Sequence, residues 1–115
     1  MSEADRLAVL EQFNRAWNEH DLDAALALVT DDCVFGSAGP APDGERVQGK
    51  AAIRAAWKPV FDDLRSRFEI EEVFAVGDRA VQRWRYSWGS GHVRGVDLLR
   101  FRDGKVAEKL SYVKG

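Results

Sequence analysis

The sequence predicts an α+β domain: a cone-shaped, curved antiparallel sheet wrapped around three N-terminal helices and enclosing a pocket. Three observations lead there. Apolar residues recur at helical spacing up to Leu64, and from Arg67 onward the period switches to two. The period-two stretches are divided by Gly77-Asp78, Gly89-Ser90-Gly91 and Asp103-Gly104, all suited to hairpin turns. The chain has 115 residues, the ordinary size of one domain, and residues 1–115 are read as one unit.

The elements follow in order. Leu7, Leu10, Phe13 and Trp17 form one helical stripe, which predicts a helix from Ser2, a suitable N-cap, to about Glu19. His20-Asp21 breaks it, and Asp21 caps a short second helix over Leu22–Val29. Thr30-Asp31-Asp32 ends that helix, and Cys33-Val34-Phe35 reads as a short strand. The segment from Gly36 to Gly49 reads as a loop, of a length that often carries function. Lys50–Leu64 is a third helix, with Ile53, Trp57, Val60, Phe61 and Leu64 on one stripe and Pro59 expected to kink or interrupt it. Strands are predicted over Phe68–Val76, Ala80–Trp88, His92–Arg102 and Lys105–Val113.

Composition excludes several function classes. With 17 basic and 19 acidic residues the net charge is -2, and no basic face stands out, so no nucleic acid is expected as partner. No apolar run approaches the roughly 18 residues of a membrane span. Residues Met1 to Arg6 carry two acids and no apolar core, so a signal peptide is not expected. A single cysteine, Cys33, forms no intramolecular disulfide and reads as a small buried hydrophobe. Together these features predict a cytoplasmic protein. His20, His92 and Cys33 are too scattered for a zinc site, so no metal is expected. No phosphate-loop, dinucleotide or serine-hydrolase motif is present, and no cofactor is expected.

The residue that points most directly to chemistry is Asp97. In V-R-G-V-D-L-L-R-F, period two places Gly95, Asp97, Leu99 and Phe101 on one face. An acid on an apolar face must be paired, solvated in a pocket, or functional. As a desolvated carboxylate it can serve as general acid or base; as a structural acid it needs a neutralising neighbour. Lys109 is the candidate neighbour. A two-residue turn at Asp103-Gly104 sets Asp97 opposite Leu110, whereas a bulged turn starting at Arg102 sets it opposite Lys109.

Trp84, Tyr86 and Trp88 share one strand face with Gln82, either as a stacking wall for a flat ligand or as sheet core or dimer surface. Phe13, Trp17, Phe35 and Trp57 are expected to face the cone, with one or two touching ligand. His92, at a strand start, is either a general base or a solvated turn residue. Val96, Leu98 and Leu110 make the outer sheet face apolar, which predicts a homodimer through that face.

Three phrases carry a resemblance: W-N-E-H-D-L-D-A-A-L-A-L-V-T-D-D-C-V-F (Trp17–Phe35), G-K-A-A-I-R-A-A-W (Gly49–Trp57) and R-G-V-D-L-L-R-F-R-D-G-K-V-A-E-K-L-S-Y-V-K-G (Arg94–Gly115). With the element order, they resemble the nuclear transport factor 2-like superfamily, in particular its SnoaL-like branch. Compared with ketosteroid isomerases of that fold, the oxyanion-hole acid falls on Asp97. The helix tyrosine falls on Phe13, and the base falls on Ser37. One functional position of three is retained, which argues against a steroid-isomerase mechanism. In SnoaL-like cyclases an acid in the meander acts as general acid or base, and Asp97 matches it. The arginine of the fold's epoxide hydrolases falls on Gly95, with Arg94 on the opposite face. The isomerase resemblance puts Lys109, Ser111 and Val113 in the pocket and so favours the bulged turn. It implies a small-molecule-binding protein, either a cofactor-independent isomerase or cyclase or a non-catalytic binding or dimerising module. The ligand would be a mostly apolar ring compound with a carbonyl or hydroxyl. Asp97 would move or hold a proton and Lys109 would orient the polar group.

Overall fold

The computed structural model describes residues 2–115. Helix α1 spans Glu3–Asn18. Ser2 Oγ accepts from the Asp5 amide and Asp5 accepts from the Ser2 amide, both at 3.0 Å, a reciprocal box that satisfies two otherwise free donors. Leu10, Phe13, Ala16 and Trp17 are its buried face. His20 takes a left-handed backbone (φ 58°) that turns the chain, and Asp21 caps α2, Leu22–Ala27, through the Ala24 amide at 3.0 Å.

Strand β1 runs Val29–Gly36, longer than the sequence suggested. It begins where the second helix was expected to continue. Val29 there is fully buried in the sheet, and tertiary burial outweighs the helix propensity of the preceding Ala-Leu run. A three-residue strand, β2 (Arg46–Gln48), lies inside the predicted loop and pairs with β1. Helix α3 covers Lys50–Asp62 and continues through Pro59, burying Ile53, Trp57 and Phe61 four residues apart. It stops short of Leu64, which is 78% exposed and belongs to the turn instead of the apolar stripe.

The meander follows as β3 (Arg67–Val76), β4 (Arg79–Ser87), β5 (His92–Arg102) and β6 (Lys105–Val113). The sheet order is β2-β1-β6-β5-β4-β3. It is antiparallel except where β1 joins β6 in parallel, so the sheet is mixed, not purely antiparallel. The helices cover its inner face, and the core lies between them: Leu10, Phe13, Trp17, Ile53, Trp57, Phe61, Leu99, Phe101 and Val106 are all buried.

The β5–β6 turn differs from the expected form. Asp103 (φ 54°) and Gly104 (φ 76°) both adopt positive φ, the two-residue mirror-image turn that Asp-Gly favours, and Arg102 pairs with Lys105. The extra residue sits farther along. Phe101 pairs with Val106 but Arg100 pairs with Glu108, so Ala107 is a bulge. Val106 and Lys109 can therefore both face inward although three residues apart, a spacing that regular alternation forbids. Asp97 ends up opposite Ser111, neither Leu110 nor Lys109.

Candidate functional site

One row of the sheet's inner face carries the polar groups. Gln82 on β4 pairs with Asp97 on β5, and Asp97 pairs with Ser111 on β6. Lys109, opposite Leu99, stands diagonally next to Asp97 on the same face. All the donors converge on the carboxylate. Gln82 Nε2 donates to Asp97 Oδ2 at 2.8 Å, and the Ser111 hydroxyl donates to Oδ1 at 2.7 Å. Lys109 Nζ donates to Oδ1 at 3.4 Å and to Ser111 Oγ at 2.9 Å. Asp97 is 2% exposed and Lys109 6%, so the ion pair is buried.

Asn14 of α1 completes the row from above. Its Nδ2 donates to Gln82 Oε1 at 2.7 Å, while Gln82 Nε2 donates to Asn14 Oδ1 at 3.2 Å. This reciprocal amide pair fixes which end of Gln82 meets Asp97 and ties the helix to the sheet. The aromatic side is equally defined. Lys109 Nζ lies 5.1 Å from the Trp17 ring centroid and 5.2 Å from that of Phe35, its neighbour across the β1–β6 pairing. Trp17 in turn packs on Trp57 (4.9 Å), Phe61 (4.4 Å) and Phe68 (5.5 Å). Asn18 holds Phe68 in place by bonding both its backbone groups at 2.8 Å.

Above these groups lies a pocket lined by Phe13, Asn14, Trp17, Phe68, Ile70, Gln82, Asp97 and Lys109. Its floor is polar, and Phe13, Trp17, Phe68 and Ile70 make its walls apolar. The space measures about 240 Å³ out to the open mouth, with free room as it stands for about one water (10 Å³). Of the residues singled out from sequence, Phe13, Trp17, Asp97 and Lys109 come together here. Phe35 and Trp57 support the site from behind. Trp84 packs against Gly95, where an added Cβ would lie 2.5 Å from its indole. Tyr86 stacks on Phe68 at 4.6 Å and tilts against Trp88 at 5.7 Å, forming an aromatic row outside the pocket lining. Burial raises the Tyr86 phenol above its ordinary range, and the nearby Asp63 charge adds to this. His92 is exposed at the far end of β5, and Ser37 belongs to the loop after β1, where its hydroxyl donates to Gly39 O at 2.6 Å.

The sequence reading missed Asn14, Phe68 and Ile70 as pocket residues. It also passed over Gln82 as a partner of Asp97, although the signal was the same: a polar residue on an inward strand position between Ala80 and Trp84.

Among the described residues no group of His, Cys, Asp and Glu side chains could hold a metal ion, and no helix is long and apolar enough to cross a membrane.

Comparison with known proteins agrees on the family. The model of the SnoaL-like domain matches residues 10–109. An NTF2-like protein of unknown function from Mesorhizobium loti is 38% identical, with a TM-score of 0.89 over 98% of this chain and 93% of that one. A SnoaL-like protein of unknown function from Burkholderia thailandensis is 25% identical, with a TM-score of 0.83 over 100% and 99%. A ketosteroid isomerase-like protein from Kribbella flavida shares the fold at 17% identity, with a TM-score of 0.84 over 98% and 80%. Among curated proteins none matches. A family match over most of the chain and a fold shared from end to end lead to one assignment: the chain belongs to the SnoaL-like domain family of the NTF2-like fold.

Proposed function

We propose that the protein binds a small, mostly apolar ring compound bearing a carbonyl or hydroxyl, and that Asp97 serves chiefly as the counter-charge of Lys109. The observation that carries this reading is the saturation of Asp97. Three donors hold its two oxygens in a 2% exposed position, an arrangement that locks a carboxylate in place. Lys109 presents positive charge at the pocket floor, and the aromatic walls suit an apolar body. Thermal melting and amide NMR with a panel of small cyclic ketones, phenols and alcohols test it. Selective stabilisation, with shifts at Phe68, Ile70 and Gln82, is the expected result; no response from any compound rejects it.

Acid/base catalysis is the second reading, favoured by one fact: Asp97 itself lines the pocket. It predicts exchange of α-protons of a bound ketone in D2O by the wild type, lost in Asp97→Asn. Exchange at the background rate in both proteins rejects it.

A homodimer through the outer sheet face is part of the same proposal. Phe74, Val81, Leu98 and Leu110 pair successively across β3, β4, β5 and β6 and form one apolar row on that face. A two-fold axis along β5 through Leu98 would set Val81 against the partner's Leu110. It would also bring Arg79 opposite the partner's Glu108, while Arg94 and Arg100, on the axis itself, would each meet their own copy.

A further inference from the structure

On the reading that the chain dimerises through its outer sheet face, one end of that face becomes a site that neither copy has alone. The cross-strand register sets Arg85 of β4 directly opposite Arg94 of β5. Lys114, whose amide donates to Arg94 O at 2.8 Å, continues the row past the end of β6. Like charges directly opposite each other destabilise a sheet unless something neutralises them. Two acids are near, and they do not suffice. Arg85 Nη1 lies 3.7 Å from Glu69, too far for a hydrogen bond, and its Nε is buried with no acceptor among the described residues. Arg94 donates to Glu71 through Nε alone, at 3.2 Å, and Glu71 is shared with Arg83 at 3.4 Å. The Lys114 ammonium has no partner among the described residues. Three cations therefore share two acids.

A two-fold axis along β5 doubles this row. Arg94 stands on the axis and meets its own copy, while Arg85 comes opposite the partner's Lys114. Each copy brings one positive charge in excess, so this end of the interface carries two. The other end of the axis differs. Arg100 also meets its own copy there, but Arg79–Glu108 (3.4 Å) and Arg100–Asp78 (3.8 Å) match each cation with an acid. What the Arg94 end lacks is two negative charges, on a group that fits a two-fold axis and offers oxygens to guanidinium forks. A tetrahedral dianion has that charge and a two-fold axis of its own, so it can turn two oxygens to each copy. We infer that the outer-face dimer holds a free tetrahedral oxyanion of the phosphate type on its axis, bound by Arg85, Arg94 and Lys114 of both copies. The anion tightens the dimer by neutralising charges that like-charge repulsion would otherwise hold apart.

The test is sedimentation velocity of the full chain at pH 8 in sodium phosphate, sodium chloride and disodium phenyl phosphate, all at one ionic strength. The dimer is expected to be about tenfold tighter in phosphate than in chloride. Phenyl phosphate should tighten it by less than about threefold, because its substituent breaks the two-fold fit. Arg94→Gln removes the charges that meet on the axis, so its ratio of phosphate to chloride affinity should fall to about one. Lys114→Gln, at the exposed strand end, should lower the ratio to about threefold and serves as the variant if Arg94→Gln does not fold. Arg100→Gln, at the balanced end, should leave the ratio at about tenfold. An equally tight dimer in phosphate and chloride overturns the inference and leaves the dimer standing. So does phenyl phosphate as effective as phosphate, a full ratio in Arg94→Gln or Lys114→Gln, or a lost one in Arg100→Gln. A wild type that is monomeric in every salt overturns the dimer and the anion site together.

Discussion

At the scale of single residues, the buried Asp97–Lys109 pair makes the clearest demand. Removing one partner leaves the other charge unpaired in a space that water reaches poorly, a change that typically costs about 3–5 kcal/mol. Asp97→Ala should lower unfolding stability by about that amount in urea titration. Adding Lys109→Met should return most of the loss, because both charges are then gone. A stable single mutant, or a double mutant no better than the single, contradicts the pair as described. Cys33 makes a second demand. Burial pushes its thiol up to about 11, with the Asp32 charge adding to the effect. Folding therefore favours the protonated thiol: this contribution is whole below the ordinary value near 9 and fades as pH climbs toward 11. Native protein at pH 8 should resist iodoacetamide, and labelling should rise in step with the unfolded fraction in mild denaturant. Rapid labelling of the native state would contradict the burial. The site was partly legible at this scale. Asp97 stood out because an acid interrupts an apolar face, and the same rule applied to Gln82. Asn14 left no such mark, because a polar residue one step from an apolar helical stripe looks like any solvated flank.

At the scale of elements, the Ala107 bulge decides the site. It lets β6 present Val106 and Lys109 on one face, and it moves Asp97 from opposite Leu110 to opposite Ser111. Deleting Ala107 should make β6 a regular strand, with Val106 and Lys109 two residues apart on the inner face and Ser111 still opposite Asp97. The Lys109–Ser111–Asp97 bonds should therefore persist and the protein should stay folded in urea titration. Loss of those bonds, or marked destabilisation, would mean that the local kink of the bulge is needed as well as its register. Gly95 is the other constraint. A Cβ there would meet the Trp84 indole at 2.5 Å and the Tyr112 carbonyl oxygen at 2.4 Å. Gly95→Ala should therefore cost about 1–3 kcal/mol, and trimming Trp84 should recover it only in part because the carbonyl belongs to the backbone. The sequence made the four long strands legible to within a residue, since alternation and Gly-Asp or Asp-Gly turns mark both their interiors and their ends. It could not reveal β2, because three residues are too few to show a period. The β1–β6 pairing joins residues some 75 positions apart, which no local pattern records. The bulge was placed in the turn instead of the strand for a related reason. Alternation shows that a register must slip, but leaves open where.

At the scale of the whole molecule, the sheet has two faces with different tasks. The inner face holds the polar row under the helices. The outer face holds the apolar row from Phe74 to Leu110, bordered by ion pairs such as Arg79–Glu108 (3.4 Å) and Arg83–Glu71 (3.4 Å). Phe74 is half exposed on the edge strand β3, and an aromatic side chain beside Val81 on an apolar row is an expected contact residue for a second copy. Because Asp97 and Ser111 stand on the same strands as Leu98 and Leu110, pairing of two outer faces would stiffen β5 and β6 and so hold the inner polar row in register. Leu98→Glu puts a charge at the proposed two-fold axis, where it meets its own copy, and should give a monomer in sedimentation velocity at micromolar concentration, where the wild type is expected to be a dimer. The side chain faces away from the pocket, so the inner hydrogen bonds should survive in the monomer. Weaker protection of the Asp97 and Ser111 amides from hydrogen exchange would then measure what dimerisation contributes to the site. A wild type that is monomeric at the same concentration rejects the dimer and leaves the pocket to stand on the single chain.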